Sequence, residues 1–130
     1  MEPENIIRGV WKKSAKLRSI LPLDRLAVGI QPRTDLPRGL IVRSNTQGKL
    51  LTNLGFRLDF IELELSVYSK KRSSLMNFDK TLRDLLFREG NFGLLQCAIQ
   101  PVSDDEWKYE LGLAFYANFY DTDKETEAPE

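Results

Sequence analysis

The clearest pattern in the chain is the alternation of apolar and polar residues between positions 57 and 69. The apolar side chains share one parity and the polar ones the other: Ile61, Leu63, Leu65 and Val67 against Glu62, Glu64, Ser66 and Tyr68. Successive side chains of a strand point to opposite faces, so this run predicts a strand with one buried and one solvated face. Leu58 and Phe60 break the parity, which predicts a bulge or twist near Asp59.

A second long alternation predicts a strand from Trp107 to Tyr120. Its apolar face comprises Trp107, Tyr109, Leu111, Leu113, Phe115, Ala117 and Phe119. The run 92–100 predicts the preceding strand, joined to it as a hairpin across Ser103 to Glu106. Pro101 indicates that this preceding strand ends there or lies at a sheet edge. Shorter strands are predicted at 25–31, 40–44 and 49–52, the last two separated by a turn at 45–48.

Two segments have the 3.6-residue period of amphipathic helices. The first covers residues 4–21, and its apolar arc consists of Ile6, Ile7, Val10, Trp11, Leu17, Ile20 and Leu21. Pro22 ends it. The second has the apolar side Leu75, Phe78, Leu82, Leu85 and Leu86, and Gly90 fits its C-terminal cap.

Together these elements predict an α+β fold. Its antiparallel sheet has about five strands, with an N-terminal amphipathic helix and a second helix packed on one face. Residues 1–120 are expected to form a single globular domain. Residues 121–130 hold five acidic residues and one lysine without apolar periodicity, so we expect an acidic disordered tail.

The zero net charge of the chain conceals two opposite halves. Residues 1–57 contain eleven Lys and Arg against four Asp and Glu, and residues 58–130 contain eight against fifteen, which gives +7 and −7. Such asymmetry indicates an anionic partner for one half, a cationic partner for the other, or mutual neutralisation of the halves.

The composition excludes several kinds of chemistry. The chain has no histidine and one cysteine, which removes histidine-based triads, an internal disulfide and multi-cysteine metal sites. Cys97 has the parity of Leu95 and Ile99 and is expected to be a small buried residue. No cofactor or metal is expected. The N-terminal residues lack the pattern of a secretory signal, and no apolar run is long enough to span a bilayer, so we expect a cytoplasmic protein.

Acidic pairs offer the remaining catalytic or metal-binding candidates. Glu62 and Glu64 lie on one strand face about 6.6 Å apart, compatible with acid–base chemistry, although a solvated sheet face accounts for them as well. Asp104, Asp105 and Glu106 lack the spacing of a calcium loop and suit a hairpin turn. Whether the protein is an enzyme is left open, with a non-catalytic role favoured.

The basic first half supplies the candidate partner-binding residues: Arg8, Trp11, Lys12, Lys16, Arg33, Arg38 and Arg43. We expect a small non-catalytic adaptor or assembly protein that binds another protein, or another copy of itself, through its sheet edge or N-terminal helix. The alternatives are a nucleic-acid-binding accessory protein that uses the basic half, and an enzyme with carboxylate, lysine or tyrosine chemistry.

Overall fold

The computed structural model describes residues 2–51 and 56–121, with side chains at 2–44 and 60–116. The elements follow the order α1 (Pro3–Lys13), α2 (Ala15–Ile20), a 3₁₀ turn (Leu23–Arg25), β1 (Leu26–Val28), β2 (Arg38–Leu51), β3 (Phe56–Ser69), α3 (Arg72–Arg88), β4 (Phe92–Ser103) and β5 (Glu106–Asp121). The predicted acidic tail falls almost entirely on residues 122–130, which lie outside these ranges.

The five strands form one sheet in the order β1-β2-β3-β5-β4. This confirms an α+β fold with a five-stranded sheet and packed helices. The prediction of a purely antiparallel sheet was wrong, because β1 pairs in parallel with β2, from Leu26 opposite Gly39 to Val28 opposite Ile41. The residues between these two strands carry the chain back along the sheet, which is the crossover that a parallel pair requires.

The predicted single helix over residues 4–21 is two helices. Ser14 interrupts it with extended backbone angles of φ −108° and ψ 110°, and its hydroxyl accepts a hydrogen bond from the Leu17 amide at 3.3 Å. Serine is favoured at the start of a helix because its hydroxyl accepts a hydrogen bond from a backbone amide that has no partner within the helix. The break lets Trp11, Leu17 and Leu21 all reach the core.

Residues 45–48, predicted as a turn, belong to strand β2 instead. The strand runs on to Leu51 through an irregularity: from Arg43 to Gln47 it advances four positions, while β3 advances two, from Leu63 to Ile61. The extra residues are absorbed as a bulge, which explains why turn-forming residues occur inside a strand. The register between β3 and β5 shifts at the predicted place, between Asp59 and Phe60, but the extra residue belongs to β5, which advances two positions, from Asn118 to Tyr116, while β3 advances one.

The predicted C-terminal hairpin is confirmed, with β4 at the edge of the sheet. Strand β4 does not end at Pro101 but continues to Ser103. Proline is tolerated there because an edge strand has one row of backbone groups without a ladder partner. The positive φ of Gly90, +84°, agrees with the predicted cap of α3.

The helices cover one face of the sheet, and the core lies between the two layers. Its sheet side is formed by the apolar parities of β3 and β5, with Ile41 from β2. Phe78 of α3 joins the layers, since its ring centroid lies 5.3 Å from that of Trp11 and 5.0 Å from that of Tyr109. The Trp11 indole donates a hydrogen bond to the Leu21 carbonyl at 2.8 Å, which satisfies its buried N–H group.

Phe78 is expected to be the most costly aromatic side chain of α3 to remove. It is fully buried, so Phe78→Ala should lower the free energy of unfolding by about 3–5 kcal/mol, measured by chemical denaturation. Phe87 of the same helix is 38% exposed, and Phe87→Ala is the matched control, with a loss below about 1 kcal/mol. Equal losses for the two variants would contradict this placement of α3.

Candidate protein-binding surface

One face of the sheet is not covered by any helix that the structure describes. The buried parity of β3, exemplified by Leu63 and Leu65, faces the helices, so the other parity faces away from them. Glu62, Glu64 and Tyr68 therefore lie on the uncovered face and keep part of their surface exposed. One-sided burial is typical of antiparallel strands with alternating residues.

The centre of the uncovered face contains a hollow of about 550 Å³, which we call the acidic hollow. Its lining residues are Val42, Ser44, Glu62, Leu63, Glu64, Leu95, Gln96 and Gly112. Gly112 permits close packing by the neighbouring strand, since a Cβ there would lie 2.9 Å from Cγ of Gln96. Val42 and Leu95 give the hollow exposed apolar surface, and Leu95 is 50% exposed.

The two carboxylates of the hollow have no cationic partner among the described residues. Glu64 accepts a hydrogen bond from the Ser66 hydroxyl at 3.2 Å, and neither Glu62 nor Glu64 forms an ion pair with a residue whose side chain the structure describes. Glu110 is compensated differently: its carboxylate lies 3.7 Å from Nζ of Lys108 and accepts a hydrogen bond from Gln96 at 3.3 Å. The hollow therefore presents two negative charges to solvent.

Both outer strands carry exposed apolar side chains. Leu94, Leu95 and Val102 are each about half exposed on β4, which pairs only with β5 among the described residues. At the opposite side of the sheet, Val28 ends β1 and Ile30 follows it with 82% of its surface exposed. Apolar side chains beside an unpaired strand edge favour association with another protein.

Arg38 and Arg43, two of the predicted partner-binding residues, are held in ion pairs within the chain. Nη2 of Arg38 lies 3.0 Å from Oε2 of Glu106, and its guanidinium stacks 4.2 Å from the centre of the Tyr68 ring. Arg43 reaches the start of α1, where it binds Glu4 at 2.7 Å and also Glu2. These pairings neutralise much of the predicted basic surface.

The remaining predicted arginines also make contacts within the chain. Arg33 lies 3.9 Å from the Asp35 carboxylate, which Arg25 binds at 3.1 Å. Arg8 donates a hydrogen bond to the Leu26 carbonyl and so attaches α1 to β1. These contacts give both arginines structural roles.

Trp11 lies in the core with no exposed surface. Its predicted role as an anchor that touches a partner would require α1 to leave the sheet. The apolar arc of the predicted helix was correctly located, but its largest side chain, Trp11, is buried in the core of its own chain.

Lys12 and Lys16 are exposed as predicted and form no ion pair among the described residues. Lys13 and Arg18, which are not among the predicted partner-binding residues, are also exposed and lie close to them in the sequence. We call these four residues of α1 and α2 the basic helical surface. Their closeness along the sequence is the signal that could have identified all four.

A polar cluster connects α3 to the sheet on the covered side. The Asp79 carboxylate accepts hydrogen bonds from the Tyr109 hydroxyl at 2.5 Å and from the Cys97 thiol at 3.4 Å, and it pairs with Arg83 at 2.7 Å. Desolvation of the sulfur atom and the neighbouring Asp79 carboxylate raise the pKa of the Cys97 thiol, which keeps it protonated. The expectation that Cys97 is buried was wrong, because its edge strand leaves it exposed.

Two residues of the acidic turn make contacts within the chain. Glu106 pairs with Arg38, and Asp105 accepts a hydrogen bond from Ser103 at 3.3 Å. Within the described ranges, no set of three or more Cys, Asp or Glu residues is placed to hold a metal ion. No helix there has both the length and the apolar character to cross a membrane.

Comparison with known proteins gives a likeness of fold. No family model matches the sequence, and no curated protein matches it either. Among solved structures, the chain is similar to a chain of the virion of a native gene transfer agent (GTA) particle. The TM-score is 0.59 at 8% identity, over 88% of this chain and 92% of that chain. The two chains therefore share a fold along most of their length.

The Arg43 ion pair should make stability depend on pH. Its hydrogen bond with Glu4 lowers the pKa of that carboxyl from its ordinary 4.5, so the stabilising contact is complete above pH 4.5 and is lost as the pH falls through the lowered value. Arg43→Gln should lower the free energy of unfolding at neutral pH by up to about 1 kcal/mol, and by less near pH 3. Chemical denaturation at both pH values measures the difference.

The control for Arg43→Gln is Lys80→Gln, because Lys80 is exposed and forms no ion pair among the described residues. It should change stability little at either pH. An equal loss at both pH values for Arg43→Gln would show that the pairing with Glu4 does not stabilise the fold.

Proposed function

We propose that this protein is a non-catalytic assembly subunit that associates with copies of itself. The observation that carries the proposal is the uncovered sheet face, where the acidic hollow combines exposed apolar side chains with two carboxylates that have no cationic partner among the described residues. Buried apolar contact and charge complementarity are the two components of a specific protein interface.

The exposed apolar residues of the outer strands support the same proposal. Leu94, Leu95 and Val102 are exposed along β4, and Leu95 also lines the acidic hollow. The sheet edge and the uncovered face therefore meet at Leu95. An exposed apolar surface next to polar residues is typical of sites that bind other proteins.

The shared fold gives further support. The similar chain belongs to the virion of a native gene transfer agent particle. A fold alone does not determine function. It does agree with the surfaces described above, which suit repeated contacts between proteins.

The acidic hollow is also the candidate catalytic site, because it contains Glu62 and Glu64, the pair predicted from the sequence. Acid–base chemistry needs a group near its target that can donate a proton and another that can accept one. The carboxylates of Glu62 and Glu64 are the only ionisable groups among the described lining residues, and the hollow is open to water. Such a pair on an open strand face fits a docking contact better than a catalytic pair.

Binding of nucleic acid has less support than binding of protein. Arg33, Arg38 and Arg43 were half of the six cationic residues selected for this role, and all three form ion pairs within the chain. A phosphate that bound them would first have to displace a carboxylate. The exposed lysines of the basic helical surface keep this alternative open to experiment.

Analytical ultracentrifugation over about a hundredfold range of protein concentration tests the proposed function. Self-association follows mass action, so we expect species larger than the monomer whose fraction increases with concentration. The measurement is repeated after nuclease treatment, which should leave the distribution unchanged.

Two results would contradict the proposed function. A monomer at every concentration would show that the chain does not assemble with itself. Assemblies that disappear after nuclease treatment would support the nucleic-acid alternative instead.

A further inference from the structure

The acidic hollow and the basic helical surface carry opposite charges, and these charges form no ion pairs within the part of the chain that the structure describes. Glu62 and Glu64 of the hollow have no cationic partner among the described residues, and the same is true of Lys12 and Lys16 on the helices. Elsewhere, Arg38 pairs with Glu106, Arg43 with two glutamates and Lys108 with Glu110. Of these pairs only Arg38–Glu106 joins the basic half to the acidic half, so the pairings described leave most of the opposite charge of the two halves unneutralised.

The two surfaces cannot meet within one molecule, because the sheet lies between them. Lys12, Lys13, Lys16 and Arg18 belong to helices packed on the covered face, whereas the hollow opens on the other face. A helix packed on a sheet lies about 10 Å from it, so a lysine on its outer side is farther still from the opposite face. Only another molecule can bring these charges into contact.

Building on the proposed function, we propose that the acidic hollow of one copy binds the basic helical surface of the next copy. Charge complementarity within one sequence selects a second copy as the occupant. The contact joins two different surfaces of the same chain, so each added copy leaves one hollow and one basic surface free. Such head-to-tail contacts form extended or closed assemblies rather than simple dimers.

The composition of the hollow suits a lysine or arginine side chain. The exposed side chains of Val42 and Leu95 can cover the methylene groups of such a residue, while Glu62 and Glu64 receive its charged end. Hydrogen bonds between ammonium or guanidinium groups and carboxylates are stronger than those between neutral groups. The absence of a cationic partner for these glutamates within the described chain means that no internal ion pair has to break first.

Charge reversal on each surface in turn, followed by mixing, tests the contact. The first variant combines Glu62→Lys with Glu64→Lys, and the second combines Lys12→Glu with Lys16→Glu. Each variant alone opposes like charges, so its association should weaken at least about tenfold relative to the unmodified chain. In an equimolar mixture, each reversed surface meets an oppositely charged one, and assembly should return. Sedimentation velocity measures all three samples.

Matched controls separate the contact from a general effect of charge. Lys70→Glu with Lys71→Glu reverses two exposed lysines outside the basic helical surface, and Asp104→Lys with Asp105→Lys reverses two exposed acids of the hairpin turn. Both should assemble like the unmodified chain. Circular dichroism and thermal unfolding check that every variant folds. If the first variant does not fold, Glu62→Gln with Glu64→Gln replaces it, again with at least about tenfold weaker association expected.

The possible outcomes distinguish this inference from the proposed function. If the unmodified chain assembles and the reversed variants assemble equally well, or if mixing does not restore assembly, the docking contact is wrong while self-association stands. If the unmodified chain stays monomeric throughout, both fail. If nuclease abolishes assembly and only the variant with Lys12→Glu and Lys16→Glu loses it, the basic helical surface binds nucleic acid, and the proposed contact between copies is overturned.

Discussion

Burial of the sheet on one face only is the constraint from which the other properties of this molecule follow. The helices cover the apolar parity of β3 and β5, and Phe78 links them to the sheet through ring contacts with Trp11 and Tyr109. A core formed on one side is sufficient for a chain of 130 residues. It leaves a broad face of mixed polar and apolar character exposed, and that face carries the features on which the proposed assembly rests.

Ion pairs occur on both sides of the sheet. Arg43 pairs with Glu4 on the covered side, and Arg38 pairs with Glu106 beside Tyr68 on the uncovered face. In the centre of the uncovered face and on the outer helical surface, charges remain without partners in the described chain. Exposed ion pairs add little stability. In the proposed assembly, the charges without partners in the described chain take part in association between molecules.

Much of the fold could be predicted because the signals were local. Alternation from Ile61 to Val67 identified β3 and its buried face, and the parity change at Phe60 marked the place of the register shift, although the extra residue lies in β5. The errors occurred where contacts between distant parts of the chain determine the local structure. The parallel pairing of β1 depends on a neighbouring strand, and the turn-like residues 45–48 continue as a strand because β3 pairs alongside. Likewise, Arg38 could not be assigned to a pair whose acidic partner is 68 residues away.

Zero-length cross-linking between lysine and carboxylate side chains gives the most direct measurement of the central claim. The experiment uses an equal mixture of isotope-labelled and unlabelled chain, so that mass spectrometry distinguishes links within one molecule from links between two. We predict links from Lys12, Lys13 or Lys16 to Glu62 or Glu64 in mixed pairs of labelled and unlabelled peptides. If Glu62 and Glu64 form no mixed links, although other carboxylates of the chain react, the uncovered sheet face is not the surface that holds the assembly together.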